Sequence, residues 1–219
     1  MNNTKGIIFD LDGVIVDTAK FHYLAWRKMA NDLGFDITLE QNEQLKGVSR
    51  VHSLQQILGW GNKTVTEEEF ERLMASKNED YLARIAHMDD SDLLPGVKKV
   101  LDYLTKNDIS FALGSASRNA RPILKGLKIE TRFKGIVDGN DVTKAKPNPE
   151  VFLIAAEKLG IASEDCIVFE DSVAGVEAAN RAGMISIGIG DKNILKDADY
   201  NFADFTEINI EFVQKIVRK

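Results

Sequence analysis

Hydrophobic and polar residues follow each other in two different rhythms along this chain. The run Ile7–Phe9 is short, apolar and followed by carboxylates, which is typical of a strand buried on both faces of a parallel sheet. Over residues 15–93 the apolar positions recur at helical spacing, so this segment is predicted to be entirely helical. From residue 94 onwards, short apolar runs alternate with amphipathic segments, a pattern that predicts alternating strands and helices.

The helical segment is predicted to contain several helices. The first ends at Gly34, because glycine is a common stop signal. Residues 40–59 predict one or two short helices, and Thr66 with Glu69 has the spacing of a capping box. The long helix that starts there is predicted to continue to about Met88.

In the second part of the chain, further strands alternate with helices. The predicted strands are Ser110–Gly114, Ile136–Asp138, Cys166–Phe169 and Met184–Ile189. The predicted helices cover residues 97–107, residues 119–127, the segment from the turn 146–149 to Gly160, and Ser172–Gly183. This order predicts an α/β fold with a doubly wound parallel-sheet (Rossmann-like) core and helices on both faces. The core is predicted to comprise residues 1–14 and 94–219, and residues 15–93 are predicted to form an inserted all-helical domain.

Composition and charge limit the classes of function. The chain has 219 residues, of which 44% are hydrophobic and 28% charged, as is typical of a globular protein. Its net charge of −6 gives no electrostatic support to a nucleic-acid or membrane partner, and no apolar run approaches the ~20 residues that cross a bilayer. The single cysteine, Cys166, excludes an intrachain disulfide. Because only residues 1–5 precede the first predicted strand, we expect no signal peptide. We therefore expect a cytoplasmic protein, and we expect it to be a monomer.

Residues with chemical potential lie at the predicted carboxyl ends of strands, where open α/β sheets place their ligand sites. Asp10 and Asp12 follow the first strand, and Gly13 lets the chain turn sharply after them. The other such residues are Ser115, Lys146, Glu170 and Asp171. Neighbouring carboxylates repel one another, so this arrangement calls for a cation, and hard oxygen ligands favour Mg²⁺.

These residue types together suit phosphoryl transfer. An aspartate can form an aspartyl phosphate, and Mg²⁺, Lys146 and Ser115 could stabilise the charge on the transferred group. Each residue also has a simpler interpretation when it is taken alone. These interpretations are a helix N-cap for Ser115, a solvated lysine for Lys146, a helix cap for Glu170–Asp171, and an Asx-type turn for Asp10 and Asp12. Their joint occurrence in this order favours the functional interpretation.

This set of residues resembles the four motifs of the haloacid dehalogenase superfamily, and the resemblance extends over the whole chain. It implies that Asp10 is a nucleophile and that Asp12 is the general acid/base. It implies a set of Mg²⁺ ligands that consists of Asp10, the backbone carbonyl of Asp12, Glu170 and Asp171. Ser115 and Lys146 would bind the transferring phosphoryl group, and the helical domain would be a cap that closes over the site.

A second set of residues resembles the β-phosphoglucomutase family within that superfamily. These residues are Thr18, His22, Trp26, Lys46, Gly47, Arg50, Ser53, Lys77, Ala116, Ser117, Arg118 and Asn119. The resemblance implies that the partners are small-molecule sugar phosphates, and that β-glucose 1-phosphate is converted to glucose 6-phosphate through β-glucose 1,6-bisphosphate. Residues 117–119 offer hydrogen-bond donors, although Arg118 departs from the lysine that the family often has.

A bisphosphate requires a second phosphate site. Arg50 could bind that phosphate because its guanidinium can donate two parallel hydrogen bonds. Trp26 could line the sugar pocket, although a core tryptophan is the default at a helical position. His22 and Lys77 could couple cap closure to the placement of Asp12. The alternative is that both are ordinary polar side chains on the surface of a helix.

Other functions are compatible with parts of this pattern. A sugar-phosphate phosphatase would share every core residue, and would differ in its cap, because a mutase must exclude water and hold both phosphates. A phosphonate hydrolase could use Lys46 as a Schiff-base lysine, but that family lacks an acid at the position of Asp12. A non-enzymatic binding protein is expected to have lost at least one of the four main core residues. All four are present, namely Asp10, Asp12, Lys146 and Asp171.

Overall fold

The chain divides into two compact units. The structure, a computed structural model, describes residues 5–45 and 48–218. The second unit is Thr18–His87, and the first unit contains the described residues on either side of it. The predicted domain boundaries, 14/15 and 93/94, lie inside the first unit. The difference arises because Val16 forms an antiparallel β-bridge with Leu93, which keeps both flanking segments in that unit.

The first unit is built on a six-stranded sheet in which all neighbouring strands are parallel. Its strands are β1 (Gly6–Phe9), β2 (Phe111–Gly114), β3 (Gly135–Val137), β4 (Cys166–Glu170), β5 (Ile185–Ile189) and β6 (Tyr200–Phe202). Their spatial order is β3-β2-β1-β4-β5-β6. This topology confirms the predicted doubly wound α/β fold and places the switch point at β1, where such sheets bind ligands.

The helices follow the predicted order, with small shifts at their ends. The second unit contains α1 (Ala19–Asp32), α2 (Leu39–Glu43), α3 (Arg50–Trp60) and α4 (Glu67–Ile85). The first unit contains α5 (Val97–Lys106), α6 (Ala120–Gly126), α7 (Glu150–Leu159), α8 (Val173–Arg181) and α9 (Ile210–Val217). β6 and α9 lie beyond the last predicted element and are additions to the predicted fold. Over the described ranges, no helix is both long and apolar enough to cross a lipid bilayer.

The strands of the first unit are apolar because side chains pack on both faces of the sheet. Ile8 of β1 packs in a buried cluster with Phe152 of α7 and with residues of α8. Phe9 points to the opposite face, where it stacks on Phe169 of β4 with ring centroids 5.1 Å apart. The backbone N–H of Asp10 donates to the carbonyl of Phe169 at 2.9 Å, so the ends of β1 and β4 lie side by side.

The second unit packs its helices around an apolar cluster that includes Trp26 and Leu54. The long helix α4 begins after Thr66, whose hydroxyl accepts a hydrogen bond from the Glu69 N–H at 3.2 Å. Thr66 is therefore the N-cap of α4. The Glu69 carboxylate pairs with Arg72 at 3.4 Å on the surface of the same helix.

Candidate active site

Three carboxylates converge at the carboxyl edge of the sheet. Asp10 follows β1, and Glu170 and Asp171 lie at the end of β4, the strand next to β1. One carboxylate oxygen of each residue lies within 4.8 Å of those of the other two. At this spacing three hard oxygen ligands can share one cation, so these residues fit a Mg²⁺ ion.

Lys146 balances part of this negative charge. Its Nζ lies 2.5 Å from Asp10 Oδ1 and 2.7 Å from Glu170 Oε2, and its side chain is 9% exposed. The Nζ also lies 4.7 Å from the ring centroid of Phe152. The simpler interpretation of Lys146 as a solvated lysine is therefore wrong. One ammonium cannot neutralise three carboxylates, so the cluster favours a further cation.

Burial and mutual repulsion change the proton affinity of these groups. Burial raises the pKa of Asp10; Lys146 opposes this effect and Glu170 adds to it. Burial likewise raises the pKa of Asp171, with further contributions from Glu170 and Asp10. Burial lowers the pKa of Lys146, but the two carboxylates outweigh that effect and raise it above its usual value. A cation bound among the carboxylates would favour their ionised forms.

Two glycines give the carboxylates their space. Gly13 has a φ of +79°, and a β-carbon there would collide with the Asp171 carboxylate. A β-carbon at Gly175, in the first turn of α8, would collide with the Glu170 carboxylate. Gly175 lies outside the predicted site. A glycine inside a predicted helix lowers helix stability, so its presence there is a signal of close approach that could have identified it.

Ser172, which also lies outside the predicted set of site residues, orients Glu170. Its hydroxyl donates to Glu170 Oε1 at 2.7 Å, and its backbone N–H donates to the same oxygen at 3.1 Å. The hydroxyl in turn accepts a hydrogen bond from the Gly175 N–H at 3.1 Å and so caps α8. Ser172 is therefore the N-cap residue of α8. The interpretation that Glu170 and Asp171 stabilise this helix through its dipole stays a prediction.

Ser115 is buried directly after β2. Its Oγ accepts a hydrogen bond from the Ser117 N–H at 3.0 Å, and the Ser117 Oγ accepts one from the Asn119 N–H at 3.3 Å. Asn119 is the N-cap residue of α6, so the interpretation of Ser115 as a helix N-cap is wrong. Ala116 and Arg118 are exposed. These residues form one turn at the carboxyl edge of the sheet.

The second unit brings His22, Trp26 and Lys77 together. Lys77 Nζ lies 2.8 Å from His22 Nδ1 and 4.4 Å from the ring centroid of Trp26. His22 stacks on Tyr81 with ring centroids 4.2 Å apart. Lys77 is 3% exposed, so it is not an ordinary polar side chain on a helix surface. Trp26 also belongs to the apolar cluster of the unit, as expected for a core tryptophan.

Burial and nearby positive charges lower the pKa values of both Lys77 and His22. Burial lowers the pKa of Lys77 to about 7; Arg50 adds to this effect and Asp80 opposes it. The pKa of His22 lies well below its usual value because of burial, with contributions from Lys77 and Arg50. Arg50 is the first residue of α3 and follows the N-cap residue Ser49.

The remaining predicted residues of this unit lie at helix starts or outside the described residues. Thr18 precedes α1 and Ser53 lies in the first turn of α3, and both are buried. Lys46 and Gly47 fall outside the described residues, so their predicted roles stay predictions. Asp12, in the first unit, lies in the turn after β1 and forms a parallel β-bridge with Val16.

The chain is similar to known proteins over most of its length. A model of the haloacid dehalogenase-like hydrolase family matches residues 7–189. The β-phosphoglucomutase of Bacillus subtilis is 39% identical over 213 residues, which cover 96% of this chain and 94% of that protein. The phosphorylated carbohydrates phosphatase of Thermotoga maritima is 30% identical over 182 residues, which cover 82% of each chain. The crystal structure of a β-phosphoglucomutase from Clostridium difficile has a TM-score of 0.88 and 41% identity, covering 97% of this chain and 96% of that one.

Proposed function

The chain belongs to the haloacid dehalogenase-like hydrolase family, and from this premise we propose that it is a β-phosphoglucomutase. In this proposal it interconverts β-glucose 1-phosphate and glucose 6-phosphate through β-glucose 1,6-bisphosphate. The observation that carries the proposal is the similarity to two β-phosphoglucomutases over nearly the whole chain, in sequence and in fold. The carboxylate cluster around Lys146 supports it, because phosphoryl transfer depends on positioning and on charge stabilisation.

Asp10 is the proposed nucleophile, and Asp12 is the proposed general acid/base. Asp10 carries the phosphoryl group as an aspartyl phosphate and passes it to the C6 hydroxyl of β-glucose 1-phosphate, whose proton Asp12 accepts. The resulting bisphosphate reorients, and Asp10 attacks the phosphorus at C1. The bond between that phosphorus and the C1 oxygen breaks, and Asp12 protonates the leaving oxygen. Glucose 6-phosphate departs and the aspartyl phosphate is regenerated.

Lys146 and Ser115 are the proposed ligands of the transferring phosphoryl group. Lys146 suits this role because the neighbouring carboxylates raise its pKa and keep it a cation. The proposed Mg²⁺ ligands are Asp10, the backbone carbonyl of Asp12, Glu170 and Asp171. When bound, Mg²⁺ would neutralise negative charge on the phosphoryl oxygens.

Arg50 is the proposed ligand of the distal phosphate, because its planar guanidinium can bind two phosphate oxygens at once. The other proposed substrate-binding residues are Thr18, His22, Trp26, Lys46, Gly47, Ser53, Lys77, Ala116, Ser117, Arg118 and Asn119. We propose that residues 18–87 act as a cap that excludes water from the aspartyl phosphate. We also propose that the protein is a cytoplasmic monomer, in keeping with its single cysteine.

A sugar-phosphate phosphatase is the alternative, and the similarity to the Thermotoga maritima phosphatase favours it. The two functions share the nucleophile and differ in the acceptor, which is a sugar hydroxyl in one and water in the other. Incubation with β-glucose 1-phosphate, Mg²⁺ and a trace of the bisphosphate separates them. Glucose 6-phosphate supports the mutase, and free phosphate supports the phosphatase. A parallel reaction with a chelator tests the metal, since full turnover without Mg²⁺ would contradict the proposed ligand set.

A further inference from the structure

Glu150, the first residue of α7, binds the backbone of the loop that carries Lys146. Its Oε2 accepts a hydrogen bond from the Lys144 N–H at 2.7 Å, and its Oε1 accepts one from the Thr143 N–H at 3.1 Å. The Thr143 hydroxyl donates to the same carboxylate and lies 3.1 Å from each oxygen. Both oxygens of Glu150 therefore bind the stretch of chain immediately before Lys146.

The same loop is closed on its other side. The N–H of Asn148 donates to the Ala145 carbonyl at 3.0 Å, and the Asn148 Oδ1 accepts a hydrogen bond from the Glu150 N–H at 3.1 Å. Lys146 thus lies between two hydrogen-bonded ends of one short loop. A fixed backbone matters at this position because a lysine side chain has many rotamers and loses much entropy when it is held in one.

α7 also contacts the far end of the Lys146 side chain. Phe152 of this helix is fully buried, and its ring centroid lies 4.7 Å from the Lys146 Nζ. One helix therefore binds the loop backbone through Glu150 and supports the ammonium through Phe152. A shift of the loop along α7 would move the ammonium away from both of its carboxylate partners.

We propose that Glu150 is a positioning residue for Lys146. Its carboxylate fixes the backbone of Thr143 and Lys144, and this holds the Lys146 ammonium between the carboxylates of Asp10 and Glu170. The inference rests on the proposed function, in which Lys146 binds the transferring phosphoryl group. Hydrogen bonds from the loop, that of the Thr143 N–H first, lower the pKa of Glu150, so its carboxylate stays ionised.

An acidic residue in the first turn of a helix can also act through the helix dipole alone. Two substitutions separate that role from positioning. Glu150→Asp keeps the charge at the start of α7 but shortens the reach to the loop. Glu150→Gln keeps the length but offers one acceptor oxygen, and its NH₂ group faces an N–H donor. Glu157→Gln is the matched control, because Glu157 is exposed on the same helix.

The first measurement is the rate at which an amine-reactive reagent labels Lys146, read by peptide mass spectrometry with Mg²⁺ present. It needs no substrate, so it does not depend on the proposed function. Both Glu150 variants are expected to label several-fold faster than the wild type at this lysine, and Glu157→Gln at the wild-type rate. Unchanged labelling in both Glu150 variants would overturn the inference.

The second measurement is kcat and KM for β-glucose 1-phosphate, together with the thermal midpoint. A misplacement of about 1 Å can cost about 10²-fold in rate, so we expect kcat to fall roughly tenfold or more in both Glu150 variants. The KM and the midpoint should change little. A loss of kcat confined to Glu150→Gln would indicate that Glu150 acts through the helix dipole, and it would overturn positioning. Wild-type kcat in both variants would also overturn positioning. If the wild type itself forms no glucose 6-phosphate, the proposed mutase function fails, and the labelling rates alone decide the role of Glu150.

Discussion

Two lysines with little solvent exposure, Lys146 in the first unit and Lys77 in the second, have opposite surroundings. Lys146 lies between two carboxylates, whereas Lys77 lies against an imidazole and two aromatic rings. Burial lowers the pKa of both. At Lys146 the carboxylates outweigh burial and raise the pKa, and at Lys77 the nearby Arg50 adds to burial and the pKa is about 7. The charged partners, rather than the depth of burial, decide which lysine remains a cation.

This difference suits the two lysines to different tasks. Lys146 keeps its charge across the neutral range, as its proposed role as a ligand of phosphoryl oxygens requires. Lys77 changes its charge close to neutral pH, so the second unit contains a group whose state follows the pH of the solution. Each of the following experiments removes or alters one partner in this comparison.

The largest expected effect comes from removing a carboxylate partner of Lys146. Asp10→Asn should abolish mutase turnover, because an amide cannot replace the proposed carboxylate nucleophile. It should also abolish labelling of the protein by a small phosphoryl donor, which radiolabel incorporation measures. The substitution preserves size, so a cooperative unfolding transition serves as the control. Labelling that persists in this variant would assign the nucleophile to another residue.

Methionine at each lysine position tests the comparison at the level of folding. Lys146→Met leaves two carboxylates buried without their ammonium and should lower the free energy of unfolding by about 3 kcal/mol without Mg²⁺. Lys77→Met removes an amine that is costly to charge and preserves volume, so the change should be below about 1.5 kcal/mol or stabilising. Urea unfolding at neutral pH measures both variants. Equal losses would show that the partners do not distinguish the two lysines.

Arg50→Ala tests the cation near Lys77 and the proposed distal phosphate site together. Mutase turnover should fall at least about tenfold, because a hydrogen bond to a charged group contributes roughly 1.5–3 kcal/mol. Phosphorylation of Asp10 by a small donor with no second phosphate should be much less affected, and the folding midpoint should barely change. The pKa of Lys77 should rise, since one cause of its lowering is removed. An equal loss of both activities would show that Arg50 does not bind the distal phosphate.

A further expected effect is a pH dependence of stability. The pKa of Lys77 is about 7 in the folded protein, against an ordinary value of 10.5. Between these values the unfolded chain binds the extra proton, so the contribution of Lys77 to the free energy of unfolding rises with pH. The rise is at most about 1.4 kcal/mol per pH unit. The groups that face Lys77 are His22, Trp26, Arg50, Asp80 and Tyr81.

The measurement compares urea unfolding of the wild type and of Lys77→Met at neutral pH and at about pH 9, within the titration range of the lysine. The wild type should gain stability relative to the variant as the pH rises. Subtracting the variant removes the contributions of all other titrating groups that the two proteins share. A difference that is constant with pH would contradict the lowered pKa of Lys77.

The fold was predictable wherever local periodicity determines an element. β2–β5 and the helices between them follow apolar runs and amphipathic patterns that are visible in the sequence. β6 reads Tyr-Asn-Phe and is exposed or half-buried at the sheet edge, so it has no apolar run like that of β3, and tertiary contacts determine its place. One such contact is the hydrogen bond from the Ser186 N–H to the Asp199 carboxylate, at 2.8 Å. α9 was predictable, unlike β6, because its apolar residues Val213, Ile216 and Val217 follow helical spacing in the sequence.

In the candidate site, too, some features follow from the sequence pattern and others depend on the folded structure. The convergence of Asp10 with Glu170 follows from the rule that parallel strands present their carboxyl ends at one edge, so the strand pattern was enough. The burial of Lys77 against His22 depends on how α1 packs on α4, which no local pattern records. The requirement for glycine at position 175 depends on the path of the Glu170 side chain, and that path exists only in the folded protein.

The junction between the two units has a consequence for how such a protein can change. The Leu94 N–H donates to the Ile15 carbonyl at 2.9 Å, and Val16 bridges to Leu93, so the chain leaves the first unit and returns to it at one paired crossing. In genetic terms, residues 18–87 form a cassette within one reading frame. Recombination can replace that cassette without cutting any strand of the sheet or moving any of the three clustered carboxylates. Under the proposed function, in which this cassette binds the distal end of the substrate, a lineage can acquire a new substrate by exchanging one internal stretch of sequence while it inherits the carboxylate cluster unchanged.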